Sequence, residues 1–357
     1  MVDTVMLRIA LDPKTYNLLF GYANNFFTEH HLGKLYPDKK ISKRYLTTKL
    51  SPLGFLEIAF HKTNYNWYLE IKLQPIRLIK ENESIELSRW EDFLAIEPAF
   101  NNFLATIFYC GNSGKLLPEW LKLESWKVCR LDYAFQFRTP YIQTYVDLLH
   151  RGQILYYQKK HDYESSLYVT ANTHNLNFYD KYAQLKDKPH LLPSTIEHAE
   201  NLLRFEVQCK EKYLQKLKRR FKLNKMNLRE LWNVYIAEYV LKYRIRMLVG
   251  EQDFYQLAVA ENEIKSVAGN NAFLLCEVIR NIALTENIQL AKRIFHRNHR
   301  WIAEAKYDKL LWRLRKLGIN PLTFSESSDS PEGLPPVLRN PCSLLTEAFE
   351  PSKNLIM

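Results

Sequence analysis

At 357 residues the chain is long enough for two domains, and its 46% hydrophobic and 25% charged residues describe a protein able to bury a core. Lys and Arg number 50 against 39 Asp and Glu, a formal charge of +11 that favours polyanionic partners, nucleic acid ahead of an anionic membrane. Five scattered cysteines without a CxxC pair argue against a disulfide framework or zinc knuckle, and only 10 glycines argue against a collagen-like chain. No apolar run approaches the ~18 residues of a membrane span, so a location in a reducing cytoplasm, away from membranes, is expected.

In chain order, the opening MVDTVMLRIALDPK reads as a strand rather than a signal peptide, because Asp3 stands where a basic n-region would be. Further strand patterns fall at 54–61, 67–73, 127–137, 165–170, 176–181 and 203–210. Between them, Ser88-Arg89-Trp90-Glu91 has the spacing of a capping box and predicts a helix from Ser88 toward Phe108, broken or kinked at Pro98. A second helix is expected after Pro140, with Tyr141, Tyr145, Leu148 and Leu149 as its apolar face. The fold class expected is α+β, a mostly antiparallel sheet with helices on one face, followed by an all-helical domain.

Residues 1–215 form the expected sheet domain, 216–324 the helical one, and 325–357, rich in Ser, Pro and Glu, a loosely ordered tail. The helical part opens on a cationic run from Lys210 to Lys225, continues through a long helix capped by Asn227, and ends in a basic amphipathic block from Ala291 to Gly318. That block carries Arg297, Arg300 and Arg313 among aromatic residues, and is the expected duplex-binding element.

Strand parity locates the chemistry. Alternate residues of a half-buried strand face opposite sides, so Tyr68, Glu70 and Lys72 share one face of WYLEIKL. Arg130, Asp132 and Gln136 do so in VCRLDYAFQF, Asn177, Tyr179 and Lys181 in LNFYDK, and Arg204, Glu206 and Gln208 in LLRFEVQCK. The pattern suits a solvated sheet face laced with cross-strand ion pairs such as Glu206 with Lys72. It equally supplies carboxylates for a hard divalent cation, cations for a phosphate, and a phenol.

The segments MVDTVMLRI, LEIKLQP, RLDYAF, NFYDK and LLRFEVQCKEKYL, with LWRLRKLGI further on, resemble in order the motifs of the filamentous-phage gene II/X replication protein family. That family is in turn similar to the Rep-trans class of plasmid initiators. The resemblance implies a rolling-circle initiator that nicks one strand at the origin through a 5′-phosphotyrosine and later religates the displaced strand. It implies Tyr179 as nucleophile, followed by Lys181, and Asp132, Glu206 and, third, Glu70 as ligands of Mg²⁺ or Mn²⁺. Arg204, Lys72 and Arg130 are inferred to hold DNA. Tyr168 and Tyr182 are competing phenols, and no His-hydrophobic-His signature is present. Origin DNA, both double-stranded and locally unpaired, is the implied partner, with host helicase and polymerase as further ones. A non-catalytic repressor or copy-number regulator, or a mobilisation relaxase, are the alternatives.

Overall fold

The computed structural model describes residues 1–32, 34–37, 42–46, 54–63, 65–80, 85–109, 117–152, 159–186, 188, 191–285, 288–300, 304–325 and 333–354. Its contacts divide the chain into two units: Met1–Ala134, His190–His198 and Glu206–Ala237 form the first, and Phe135–Pro189, Ala199–Phe205 and Glu238–Met357 the second.

The first unit is built on strands β1 (Val2–Leu11), β2 (Lys34–Pro37), β3 (Ser42–Leu46), β4 (Phe55–Lys62) and β5 (Trp67–Leu73). It also takes most of β6 (Lys127–Arg138) and the second half of the strand Leu202–Lys210. The strand order runs β2-β3-β4-β5-β1-β6 and then Leu202–Lys210, and the registers from β2 to β6 are all antiparallel. The expected mostly antiparallel sheet followed by a helical C-terminal region is therefore what the chain forms.

Val5 stands opposite Leu73, Leu7 opposite Ile71 and Ile9 opposite Leu69, while Ile58 and Phe60 of β4 face Ile71 and Leu69 from the other side. That alternation collects one apolar sheet face, which two helices cover. Helix α1 (Pro13–Glu29) lays Tyr16 edge-on against Phe60 and Trp67, at ring-centroid distances of 5.6 and 4.7 Å. Helix α2 (Phe93–Tyr109) brings Phe100 over Phe55 at 6.1 Å and Phe108 onto Phe60 at 6.4 Å. Helix α1 starts because Asp12 accepts the backbone N–H groups of Lys14 and Thr15 while Pro13 fills the first turn.

The capping box at Ser88 does not form. Ser88 instead exchanges both backbone hydrogen bonds with Val2, and the helix begins at Phe93 and continues through Pro98. Pairing with the first residue of the interior strand β1 satisfies Ser88's own N–H and C=O, leaving the cap of the short turn to Asp92, which accepts the Arg89 N–H.

The second unit contains the meander of β7 (Lys159–Tyr163), β8 (Ser166–Thr170) and β9 (His174–Asp180), antiparallel throughout. The Leu202–Lys210 strand is β10, and its first half belongs here. Helix α3 (Ile142–Arg151) buries Tyr145, Val146, Leu148 and Leu149, three of which were expected on its apolar face. Helices α4 (Lys181–Leu185) and α5 (Pro193–Glu197) are single short turns.

The expected helical part divides differently from the sequence-based boundaries. Helices α6 (Glu211–Phe221) and α7 (Leu228–Leu231) lie within the first unit. The long helix expected from Asn227 breaks at Trp232–Asn233, where Asn233 caps a new helix, α8 (Val234–Val249), by accepting from Tyr235 and Ile236. From Glu238 onward the chain clusters with the β7–β9 meander. There α9 (Leu257–Val267), α11 (Ile288–Asn298) and α12 (Glu304–Lys316) pack around α10 (Ala272–Thr285), whose Leu275, Val278, Ile279 and Ile282 are fully buried.

The tail is a correction. Residues 333–354 carry β12 (Val337–Leu338), paired with β11 (Phe254–Tyr255), and α13 (Pro341–Asn354), with Leu345 and Phe349 buried. Asn340 caps α13 by accepting the Cys342 N–H, and its side-chain amide donates to the Gln252 carbonyl. Composition suggested disorder, but apolar side chains one helical turn apart suffice to dock such a segment.

The Asn227 cap, by contrast, forms as expected. Its Oδ1 accepts the Glu230 N–H at 3.1 Å while the Glu230 carboxylate takes the N–H groups of Asn224 and Lys225. Asn227→Ala is expected to cost about 1–2 kcal/mol in urea unfolding, since the amide also donates to the Glu124 carbonyl.

Candidate active site: an acidic cluster and a tyrosine–lysine pair

In the first unit, Arg130 and Asp132 lie two residues apart on one strand and therefore on one face. Arg130 folds back over its neighbour, Nε donating to Asp132 Oδ1 at 2.8 Å and Nη2 to Oδ2 at 2.6 Å. Asp132 is 1% exposed. Burial pushes its carboxyl up to about 7; Arg130 opposes that shift and the nearby Glu206 charge reinforces it. Glu206 is itself 6% exposed. The two acids expected to act together are thus brought within electrostatic reach, but on a covered face rather than the open one that parity suggested.

Glu70 has a different set of partners. Arg8, its antiparallel partner in register, donates to Glu70 Oε2 from Nε at 3.1 Å and from Nη2 at 2.8 Å. His61 approaches the other oxygen at 3.7 Å and stacks on Tyr68, whose ring also carries the Arg8 guanidinium at 4.6 Å. Lys72 is half-buried, in register with Met6 and Glu57.

These donors do not fit the implied three-carboxylate metal set. Asp132 has both oxygens engaged by Arg130 and Glu70 is engaged by Arg8; among the described residues no group of three or more His, Cys, Asp or Glu gathers where a metal could be held. Arg130, expected at the DNA, is likewise committed to Asp132. The signal in the sequence was the i, i+2 spacing, which lets an arginine reach a carboxylate along its own strand.

In the second unit, β8 and β9 place Leu167, Val169, Leu176 and Phe178 on the apolar side. Phe178 meets Phe205 of β10 at 5.6 Å there. Ser166, Tyr168, Asn177, Tyr179 and Arg204 have the opposite parity. Tyr179 is the residue opposite Ser166, one residue before the end of β9, and is 9% exposed. Asp180 then caps α4 by accepting the Tyr182 N–H, which fixes Lys181 as the first helical residue. The Lys181 ammonium sits 5.6 Å from the centre of the Tyr179 ring and donates to Gln184.

The other two phenols differ from this arrangement. Tyr168 accepts from Asn175 Nδ2 at 3.1 Å, and Tyr182 is at the surface on the first turn of α4. Arg204 is 2% exposed and donates twice to Gln136 Oε1, at 3.0 and 2.7 Å, a partner the sequence did not suggest. Arg297, Arg300 and Arg313 are exposed on and between α11 and α12. The nearby His299 holds Glu277 of α10 at 2.7 Å.

The class defined by these features is an α+β protein with polar, tyrosine-bearing sheet strands and a cationic helical C-terminal region. Residues 94–233 match a phage family model that describes the N-terminal part of a replication-associated protein, the gene II product. That match bears out the resemblance to the gene II replication protein family and takes in RLDYAF, NFYDK and LLRFEVQCKEKYL, while MVDTVMLRI and LEIKLQP lie before it. No curated protein matches the chain. Among the described residues no helix is long and apolar enough to cross a membrane.

Proposed function

We propose that the protein initiates rolling-circle replication by cutting one strand of origin DNA with Tyr179 and resealing it later. The observation that carries this reading is the Tyr179–Lys181 pair at the end of β9, inside a segment that matches a replication-associated family.

An unperturbed phenol has a pKa near 10, so at neutral pH it is a poor nucleophile until a neighbouring cation favours the phenolate. Lys181 is that cation. Its first-turn position beyond the Asp180 cap keeps the ammonium beside the ring, and Gln184 restrains its far end. Attack of the Tyr179 oxygen on phosphorus forms the phosphotyrosine bond and breaks the bond to the 3′ oxygen, which leaves as a 3′-OH after taking up a proton equivalent to the one the phenol lost. One phosphodiester replaces another, so the reverse attack by a 3′-OH rejoins the strand.

Arg204 supplies a second cation on strands of the same unit. Its double donation to the neutral Gln136 orients the guanidinium, and because the side chain is buried its charge would act on a phosphate as a fixed field from beneath the sheet face. A divalent cation at Asp132 and Glu206 would have to displace Arg130, so the chemistry above is written without one. Host polymerase follows from the reading as the user of the 3′-OH, and host helicase as the enzyme that separates the strands ahead of it. Exposed Arg297, Arg300 and Arg313 suit salt-dependent contacts to duplex phosphates.

The test is peptide mapping of the adduct trapped on a suicide oligonucleotide carrying the origin strand. The label is expected on the peptide containing Tyr179; a label on Tyr168 or Tyr182, or no adduct at all, removes the assignment. The same reaction run in EDTA separates a metal-independent cut from a metal-dependent one.

A further inference from the structure

At the C-terminal ends of α8 and α12, within the second unit, lies a cleft of about 440 Å³. Arg246, Arg315 and Lys316 line it with one carboxylate, Glu251, which pairs with Arg246 at 3.3 Å. Trp312 forms a wall, 60% exposed, with the Lys316 ammonium 5.4 Å from the ring centre.

Cations in the last turns of helices complement the dipoles, which explains their sign. It does not explain why two guanidinium groups from different helices converge, nor why a tryptophan is left in solvent beside them. The Arg315 guanidinium is held below the ordinary arginine range by partial desolvation and then by the Arg246 charge, a conflict that a bound anion relieves. The opposite rim is rigid. Fully buried Asn320 donates to the carbonyls of Val249 and Gln252, both at 2.8 Å, and clamps the turn through Gly250, whose φ of +81° a side chain would strain. A preformed cationic cleft beside an exposed aromatic ring is what one nucleotide of an unpaired strand requires.

We propose that this cleft binds single-stranded DNA, a phosphate lying among Arg246, Arg315 and Lys316 while the adjoining base stacks on Trp312. The inference rests on the initiator reading for its choice of DNA, and a duplex cannot use the site because its bases are already stacked. An initiator that displaces a strand needs such a hold away from the scissile phosphate.

The experiment measures fluorescence anisotropy of a labelled dT12 and of a labelled duplex of equal length on the full chain and on Trp312→Ala. Trp312 is at the surface, and unchanged thermal unfolding checks that the variant folds. The loss of affinity expected for dT12 is about tenfold, with duplex affinity unchanged. Arg315→Gln is expected to weaken dT12 binding and to flatten its salt dependence. Native-like dT12 affinity in Trp312→Ala, an equal loss on both DNAs, or no dT12 binding by the full chain overturns the proposal. Because neither variant touches Tyr179, adduct formation reports separately on the initiator reading.

Discussion

Tyr179→Phe is expected to form no covalent adduct on supercoiled origin DNA while binding the duplex as the native chain does. The change removes only one oxygen from a ring that β9 holds against its neighbours, so the strand register and the buried Phe178–Phe205 contact survive. Cutting falls by a factor on the order of 10⁴ or more, because the lost group is the nucleophile rather than an aid to it. Lys181→Gln should lose less, since it withdraws the cation that favours the phenolate but keeps the phenol, and raising the pH should restore part of the rate. An adduct persisting in Tyr179→Phe would move the chemistry to Tyr168 or Tyr182. The hydrogen bond from Asn175 and the surface position on α4 would then need reconsidering as activating features.

The second large effect concerns stability. Arg130→Met is expected to destabilise the protein by about 3–5 kcal/mol at pH 8, because it strands a buried carboxylate whose two oxygens both rely on that guanidinium. At pH 5 the loss should be smaller by about 1 kcal/mol, the part that ionisation of Asp132 contributes. Burial holds the folded Asp132 carboxyl up to about 7, so below that pH the folded state keeps a proton that the unfolded chain, titrating in the ordinary carboxylate range, gives up. The associated stability is complete at low pH and is lost as pH rises through that window. Removing Arg130 pushes the folded value higher still and deepens the loss above it. Urea unfolding at the two pH values, in EDTA, measures this. Adding Asp132→Asn to Arg130→Met should recover most of the stability at pH 8. Equal losses at both pH values would reduce Arg130 to a packing role along its methylene stem.

Much of the sheet was legible because period-2 alternation records burial directly. Leu69, Ile71 and Leu73 on β5, and Leu203, Phe205, Val207 and Cys209 on β10, are all buried as their parity implied. The same logic failed for the polar face. Parity says which residues share a side, not whether that side is open, and Asp132, Arg204 and Glu206 are nearly as inaccessible as the apolar residues between them. Helix α1 was overlooked although Asp12-Pro13 marks its start, because a single cap is a weak signal without the sheet it covers. The Ser88 box was a local preference overruled by a backbone pairing with Val2, 86 residues away in sequence.

The residue order by itself determined the strands β1, β4, β5, β6, β8, β9 and β10, the face on which each of their polar residues would fall and the family resemblance, since these depend on side-chain type and spacing along one segment, whereas β2, β3 and β7 emerged only in the structure. Only tertiary structure decided which partner each charge would take: Arg130 for Asp132, Arg8 for Glu70, His299 for Glu277. It alone folded residues 333–354 against the second unit and gathered Arg246, Arg315 and Trp312 into a cleft. The reason is physical. An ionic partner is chosen by distance and desolvation in three dimensions, and both arise only after separate segments have packed.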